Sequence, residues 1–311
     1  MEVFECRGCG TALTVPLSRV AFPVYAGFTY GNGVAMPVLM EAGTYGVDED
    51  PAGEPRSIVI APGDAHGTAV VQRRELGACC GIDGRYGPNT TCAGCGRKVA
   101  TRVDDCSLWQ ATWLEPSAVR PVPAGPDRPI ADWHTVTDRW CAADLSDGNG
   151  SRSIRWDVEA AVTLAHLVHA ADGAPLAPAA GPLAQAFRPL LAQLPPPRAA
   201  PVRRAALAGP GLPQTGLRPD IAVVPRHPQT GEPWPTPPGT AAAPLAAGFW
   251  AALAFRDERE LAPATGGLPP GVERDDPLPP HPLYPGYLDR RVFRAVLNRL
   301  NGVDDTDDDW W

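Results

Sequence analysis

Two short chelate loops, Cys6-Arg-Gly-Cys9-Gly10 and Cys92-Ala-Gly-Cys95-Gly96, constrain this chain more than any other feature. Each CxxC presents two thiolates on one tight turn, and the glycine after it frees backbone amides to point at sulfur. Two such loops supply the four-sulfur shell of a structural zinc site. The expected ligands are therefore Cys6, Cys9, Cys92 and Cys95. The pairs stand 82 residues apart, but closure entropy grows only logarithmically with loop length, so an insertion between knuckles is tolerated. A local alternative joins Cys80, Cys92, Cys95 and Cys106, which lie within 27 residues. It would leave Cys6 and Cys9 as an orphan chelate. A catalytic zinc keeps a position open for water and includes His or carboxylate among three protein ligands, whereas four thiolates close the shell. The expected cofactor is a structural zinc, with no catalytic or other cofactor-binding residues.

Around the knuckles the pattern is that of short strands. Residues 2–5 and 11–15 flank the first, and 98–103 and 108–114 form the expected hairpin after the second. Trp109 and Trp113, four apart, would share one face of a regular strand. Strand-like pieces at 20–25, 34–40, 57–60 and 67–73 make the intervening segment an all-β insertion. A short helix over 130–143 closes this half, and the polar stretch 144–153 marks a boundary. The expectation is an α+β protein: a β-rich, zinc-ribbon-like domain at 1–145, then a mainly helical, proline-interrupted region at 146–311.

That second region holds 26 of the 38 prolines, all between Pro175 and Pro285. Val158, Ala161, Val162, Ala165 and Val168 recur at helical spacing between Ser153, a cap, and Gly173, a stop. Further helices are expected at 183–194, interrupted at Pro189, and at 244–261 and 287–300. Apart from a strand-like 221–224, residues 195–238 read as extended linker or polyproline II. The acidic end, Asp304 to Trp311, carries two tryptophans, which suggests a docking motif or a segment that folds back.

The formal net charge is −8, and neither half of the chain is basic, which weighs against a broad phosphate-binding face. The longest apolar run, 245–255, has 11 residues, too few to span a bilayer. No signal peptide is visible at the N-terminus, so paired CxxC elements point to a reducing cytoplasm. His166 and His169 share a helix face, but the Glu-x-x-His pattern of a bundle metal site is missing. Asp83, Asn89, Asp104 and Asp105 surround the second knuckle and read as turn residues first and as an acid/base pair second. Cys79, Cys80, Cys106 and Cys141 form no chelate pair of their own and read as small hydrophobes, with a second metal or a reactive thiol as the alternative that the adjacent Cys79-Cys80 keeps open. Neither GxSxG, a Walker A loop nor GxGxxG occurs.

The run Cys80-Gly-Ile-Asp-Gly, Gly87-Pro-Asn, Cys92-x-x-Cys95-Gly, Val99-Ala-Thr-Arg and Asp104-Asp-Cys-Ser-Leu-Trp-Gln resembles a motif of actinobacterial, Streptomyces-type zinc-ribbon-like proteins. The resemblance covers about residues 1–120. It implies a cytoplasmic, metal-stabilised domain and carries over no activity. The leading expectation is a non-enzymatic interaction or adaptor protein with a protein partner. One alternative is nucleic-acid binding through Arg97, Lys98 and Arg102 beside Trp109 or Trp113. Another is an enzyme with its site between the two halves.

Overall fold

The computed structural model describes residues 1–27, 36–49, 54–71, 81–139, 153–213, 218–255 and 288–303. They divide into two units, one of Met1–Ile130 with Pro228–Gly231, the other of Ala131–His227 with the described residues from Glu232 onward. Residues 140–152, which hold most of the expected boundary, lie outside the described residues, as do Cys79, Cys80, Cys141 and the acidic end. Strand (30%) and helix (24%) are both present, in keeping with the α+β class.

Among the described residues the first unit has nine strands: β1 (Glu2–Cys6), β2 (Ser18–Arg19), β3 (Thr44–Glu49), β4 (Pro55–Ile60), β5 (Thr68–Val70), β6 (Thr90–Cys92), β7 (Lys98–Val103), β8 (Ala111–Leu114) and β9 (Val119–Pro123). Seven form one sheet in the order β2-β3-β4-β8-β7-β6-β5, while β1 and β9 pair as an antiparallel ribbon. All neighbours in the large sheet are antiparallel except β2 and β3. The segment between the knuckles thus supplies five of the seven strands of the sheet that the β7–β8 hairpin completes. In β4, Ile58, Val59 and Ile60 are all buried, since this strand lies between β3 and β8. A β-branched run buried on both faces is the usual sequence form of an interior strand.

The core beneath this sheet gathers Phe4, Leu13, Leu17, Tyr45, Ile58, Ile60, Val99 and Leu114, and it includes the side chains of Cys6 and Cys92. Each fully buried large apolar side chain stabilises the fold by roughly 1.5–3 kcal/mol, so two of the thiols are anchored in the most stabilising part of the unit. Phe4 meets Tyr45 edge to face at 5.0 Å. Trp109 stands before β8, not within it, and packs against Tyr25, whereas Trp113 in the strand packs against Phe22.

The second unit adds a four-stranded sheet to the expected helices, which still supply most of its regular structure among the described residues. Its helices α1 (Trp133–Arg139), α2 (Ile154–Ala171), α3 (Pro182–Leu191), α4 (Ala247–Ala254) and α5 (Arg290–Leu300) accompany a sheet of β10 (Leu176–Pro178), β11 (Arg203–Leu207), β12 (Ile221–Arg226) and β13 (Ala241–Ala246). The four strands are parallel and follow one another in sequence order. Within the expected linker, 195–238, β11 is a strand that was not foreseen, whereas β12 contains the strand-like 221–224. Strands β11 and β13 were hidden because Arg-Arg-Ala-Ala-Leu and Ala-Ala-Ala-Pro-Leu-Ala are rich in alanine, the best helix former, and poor in β-branched residues. Pro244 is tolerated in β13 because that strand ends the sheet order and one of its edges needs no amide donor.

Two buried side chains tie helices to this sheet. Thr163 of α2 donates its hydroxyl to Pro244 O at 2.8 Å, and Trp250 of α4 donates Nε1–H to Val223 O at 3.0 Å. The expected stripe of α2 is buried at Val158, Ala161, Val162 and Ala165. Ser153 occupies the cap position without a side-chain hydrogen bond, and Asp172, at φ 50°, takes the left-handed position just before Gly173. Among the described residues no helix is long and apolar enough to cross a membrane.

His166 of α2 gives this unit an acid sensitivity. Burial, with Arg226 and His169 adding to it, holds the imidazole down to about 4. The unfolded chain takes up that proton near the ordinary value of 6.5, so the stability tied to neutral His166 is present above 6.5 and lost as pH falls from 6.5 towards 4. The expected loss is on the order of 2–3 kcal/mol. Urea unfolding at pH 7.5 and pH 4.5 checks this: in His166→Gln the difference between the two should shrink by about that amount.

Candidate metal centre

Both chelate loops fold by the same backbone scheme. In the first, Cys6 N–H donates to Thr11 O at 2.9 Å and Gly10 N–H to Cys6 O at 2.9 Å. In the second, Cys92 N–H donates to Arg97 O and Gly96 N–H to Cys92 O, both at 2.8 Å. Gly10 and Gly96 stand at φ 76° and 74°, the left-handed region that lets each loop reverse without Cβ strain. The first loop extends β1, and the second joins β6 to β7. The middle position also requires glycine where the loops meet, because a Cβ at Gly94 would stand 2.4 Å from Thr11 Oγ1 and 3.2 Å from Cys9 Sγ.

The result is one cluster. The sulfurs of Cys6, Cys9, Cys92 and Cys95 all lie within 4.8 Å of one another. Cys6 and Cys95 are 3.6 Å apart, Cys9 and Cys92 3.5 Å. A metal at the usual sulfur distance of about 2.3 Å with tetrahedral geometry sets its ligand sulfurs about 3.8 Å apart, whereas a disulfide needs about 2.05 Å. The cysteines are free thiols at metal-ligand spacing, and the four could hold a metal ion. Each loop contributes one buried and one exposed ligand: Cys6 and Cys92 are buried, Cys9 and Cys95 exposed.

The thiols do not share charge evenly. Hydrogen bonding by the Thr11 side chain, then its backbone, holds Cys9 down to about 6. Burial pushes Cys92 up, but the amides of Cys95 and Gly94 outweigh it and the net shift is downward. At Cys95 the Arg97 amide lowers the thiol, while Cys9 and Cys6 raise it by more together, to about 11. Four crowded sulfurs cannot all become anions unaided, and a divalent cation is what makes each coordinating thiol a thiolate. Thr11, 3.1 Å from Cys9 Sγ, was not foreseen as part of the site. Its place two residues past the CxxC was the available signal.

The other candidates lie elsewhere. Among the described residues Cys106 is not part of this cluster, and its suggested co-ligand Cys80 lies outside them. Asp83 accepts from Arg85 N–H, and Asp105 accepts from Ser107 N–H and its hydroxyl, so both hold turns. Asn89 pairs like a strand backbone, accepting from Arg102 N–H at 2.7 Å and donating to Arg102 O at 2.8 Å. Asp104 faces Arg102 at 3.7 Å. His169 Nδ1 lies 2.8 Å from Asn301 Oδ1, and neither His166 nor His169 enters a cluster of three or more possible ligands among the described residues.

In the first unit an open cleft of about 420 Å³ runs past Arg19, Phe22, Val47, Arg128 and Ile130. Both arginines are engaged: Arg19 bonds Glu49 at 2.6 Å, and Arg128 donates to Ala42 O at 3.2 Å. No protein-family model matches the chain, and neither a curated protein nor a solved structure gives a significant match.

Proposed function

We propose that the protein is a zinc-stabilised, non-enzymatic interaction protein, in which a structural zinc on Cys6, Cys9, Cys92 and Cys95 fixes a β scaffold that engages a protein partner. The observation that carries the reading is the sulfur spacing, 3.5 and 3.6 Å across the two loops. It suits a small tetrahedral ion, and an all-thiolate donor set favours zinc. Such a shell leaves no position for water or substrate, so the metal acts on the fold and not on a reaction. Among the described residues the scaffold offers a recognition edge in β5, the last strand in the sheet order, where Val70 and the following Val71 are 39% and 43% exposed. A terminal strand with exposed apolar residues suits strand addition by a partner chain.

Nucleic-acid binding is the weaker reading. Of the basic side chains near the loops, Arg7 donates to Val119 O at 2.6 Å and Arg102 faces Asp104. Arg7, Arg97 and Lys98 are few positive charges in a chain of net charge −8. Cross-linked capture from native lysate, with the zinc-loaded chain beside Cys92→Ser, is the test. A defined protein recovered only by the zinc-loaded chain is expected. Recovery of nucleic acid that is lost steeply with added salt would instead support the other reading.

A further inference from the structure

We propose that the four-cysteine cluster is also a site of oxidation by peroxide, at which disulfides form across the two loops, Cys9 with Cys92 and Cys6 with Cys95, and not within either CxxC. The inference rests on the zinc reading above for the starting state and goes beyond it for the product. Three observations carry it. First, Cys9 and Cys95 are exposed, so a small oxidant reaches one sulfur in each loop, while Cys6 and Cys92 are buried. Second, each exposed sulfur touches a buried sulfur of the opposite loop, Cys9 with Cys92 at 3.5 Å and Cys95 with Cys6 at 3.6 Å. Third, the two buried sulfurs sit in the hydrophobic core, so the second thiol of each pair is held in place by packing.

The chemistry balances with hydrogen peroxide as the only oxidant. An exposed thiolate attacks one peroxide oxygen, the O–O bond breaks, and the sulfur becomes a sulfenic acid while the other oxygen leaves as hydroxide and takes up a proton. The facing buried thiolate then attacks that sulfur, the new S–S bond forms, and a second hydroxide leaves as water. Each disulfide consumes two thiolates, one peroxide and two protons and yields two waters. Two disulfides remove all four ligands, and the metal is released. Because both bonds cross between loops, they replace the metal as the link between the start of the chain and the β6–β7 turn. Bonds within each CxxC would sever that link.

The full chain makes the product readable. Trypsin cuts after Arg7, Arg19, Arg85 and Arg97, placing Cys6 in peptide 1–7, Cys9 in peptide 8–19, and Cys92 with Cys95 in peptide 86–97. The zinc-loaded protein is treated with hydrogen peroxide, zinc release is followed with a chromogenic chelator, and the alkylated, unreduced digest is mapped by mass spectrometry. The expected result is release of the bound zinc and a three-peptide species, with fragmentation placing 8–19 on Cys92 and 1–7 on Cys95. Far-ultraviolet circular dichroism should be retained, and a dithiol reductant with added zinc should restore the starting state. Peptide 1–7 joined to 8–19 beside an internally closed 86–97, the reverse assignment on 86–97, or thiols that survive peroxide overturns the inference. Absence of zinc before peroxide counts against the zinc reading separately, and the disulfide map still decides the pairing.

Discussion

Replacing Cys92 with serine is expected to abolish tight zinc binding and unfold much of the first unit, while Cys106→Ser leaves metal content unchanged. Cys92 is 1% exposed and belongs both to the sulfur cluster and to the hydrophobic core. The substitution therefore removes a ligand and leaves a hydroxyl among apolar side chains. Binding free energy at a structural zinc is folding free energy, on the order of 10 kcal/mol in small zinc peptides, against about 5–15 kcal/mol for the whole stability of an ordinary domain. The core under the sheet lets the first unit keep part of its structure, so the expected outcome is a loss of several kcal/mol. Metal content per chain and the urea midpoint of each variant check it. Cys6→Ser should behave like Cys92→Ser, and zinc retained in Cys6→Ser would favour the local ligand set.

Arg226→Met should destabilise the second unit by about 3–5 kcal/mol, the usual penalty for stranding one partner of a buried ion pair. Glu159 lies in α2 with its side chain 3% exposed, and Arg226 Nη2, at the end of β12, reaches its Oε1 at 2.5 Å. Oε2 makes no hydrogen bond, so removing the guanidinium leaves the carboxylate with no comparable compensation. The companion change is expected to reverse most of the loss: Glu159→Leu with Arg226→Met replaces the pair by apolar groups, which is often neutral or stabilising. Urea unfolding of the two single variants and the double variant decides the matter. Equal losses in Arg226→Met and in the double variant would show that the ion pair is not the cause.

The four-cysteine cluster was legible in the sequence because a CxxC is a local object: its two cysteines and their turn are written within five residues. The long separation of the loops did not obscure it, since identical local patterns at 6–10 and 92–96 signal a shared centre whatever lies between. The β7–β8 hairpin and the α2 stripe were legible for the same reason, through periodicity inside a short window. The parallel sheet was not. Its β12 was read as strand-like at 221–224, but β11 and β13 carry small residues whose local preference is helical, and Ala241–Ala246 is extended where it pairs with β12. The Glu159–Arg226 pair was equally hidden, as 67 residues separate its members and only the packing of α2 against β12 brings them together. Pro225 in β12 illustrates the limit: β11 pairs only with Ile221–Val223, so the proline falls where that neighbour has already ended.

Zinc-edge X-ray absorption on the purified full chain, with metal content measured on the same sample, tests the central claim most directly. The account predicts one zinc per chain with a shell of four sulfurs at about 2.3 Å, lost in Cys6→Ser and in Cys92→Ser. A first shell containing nitrogen or oxygen, or a four-sulfur zinc that survives Cys6→Ser, would contradict it.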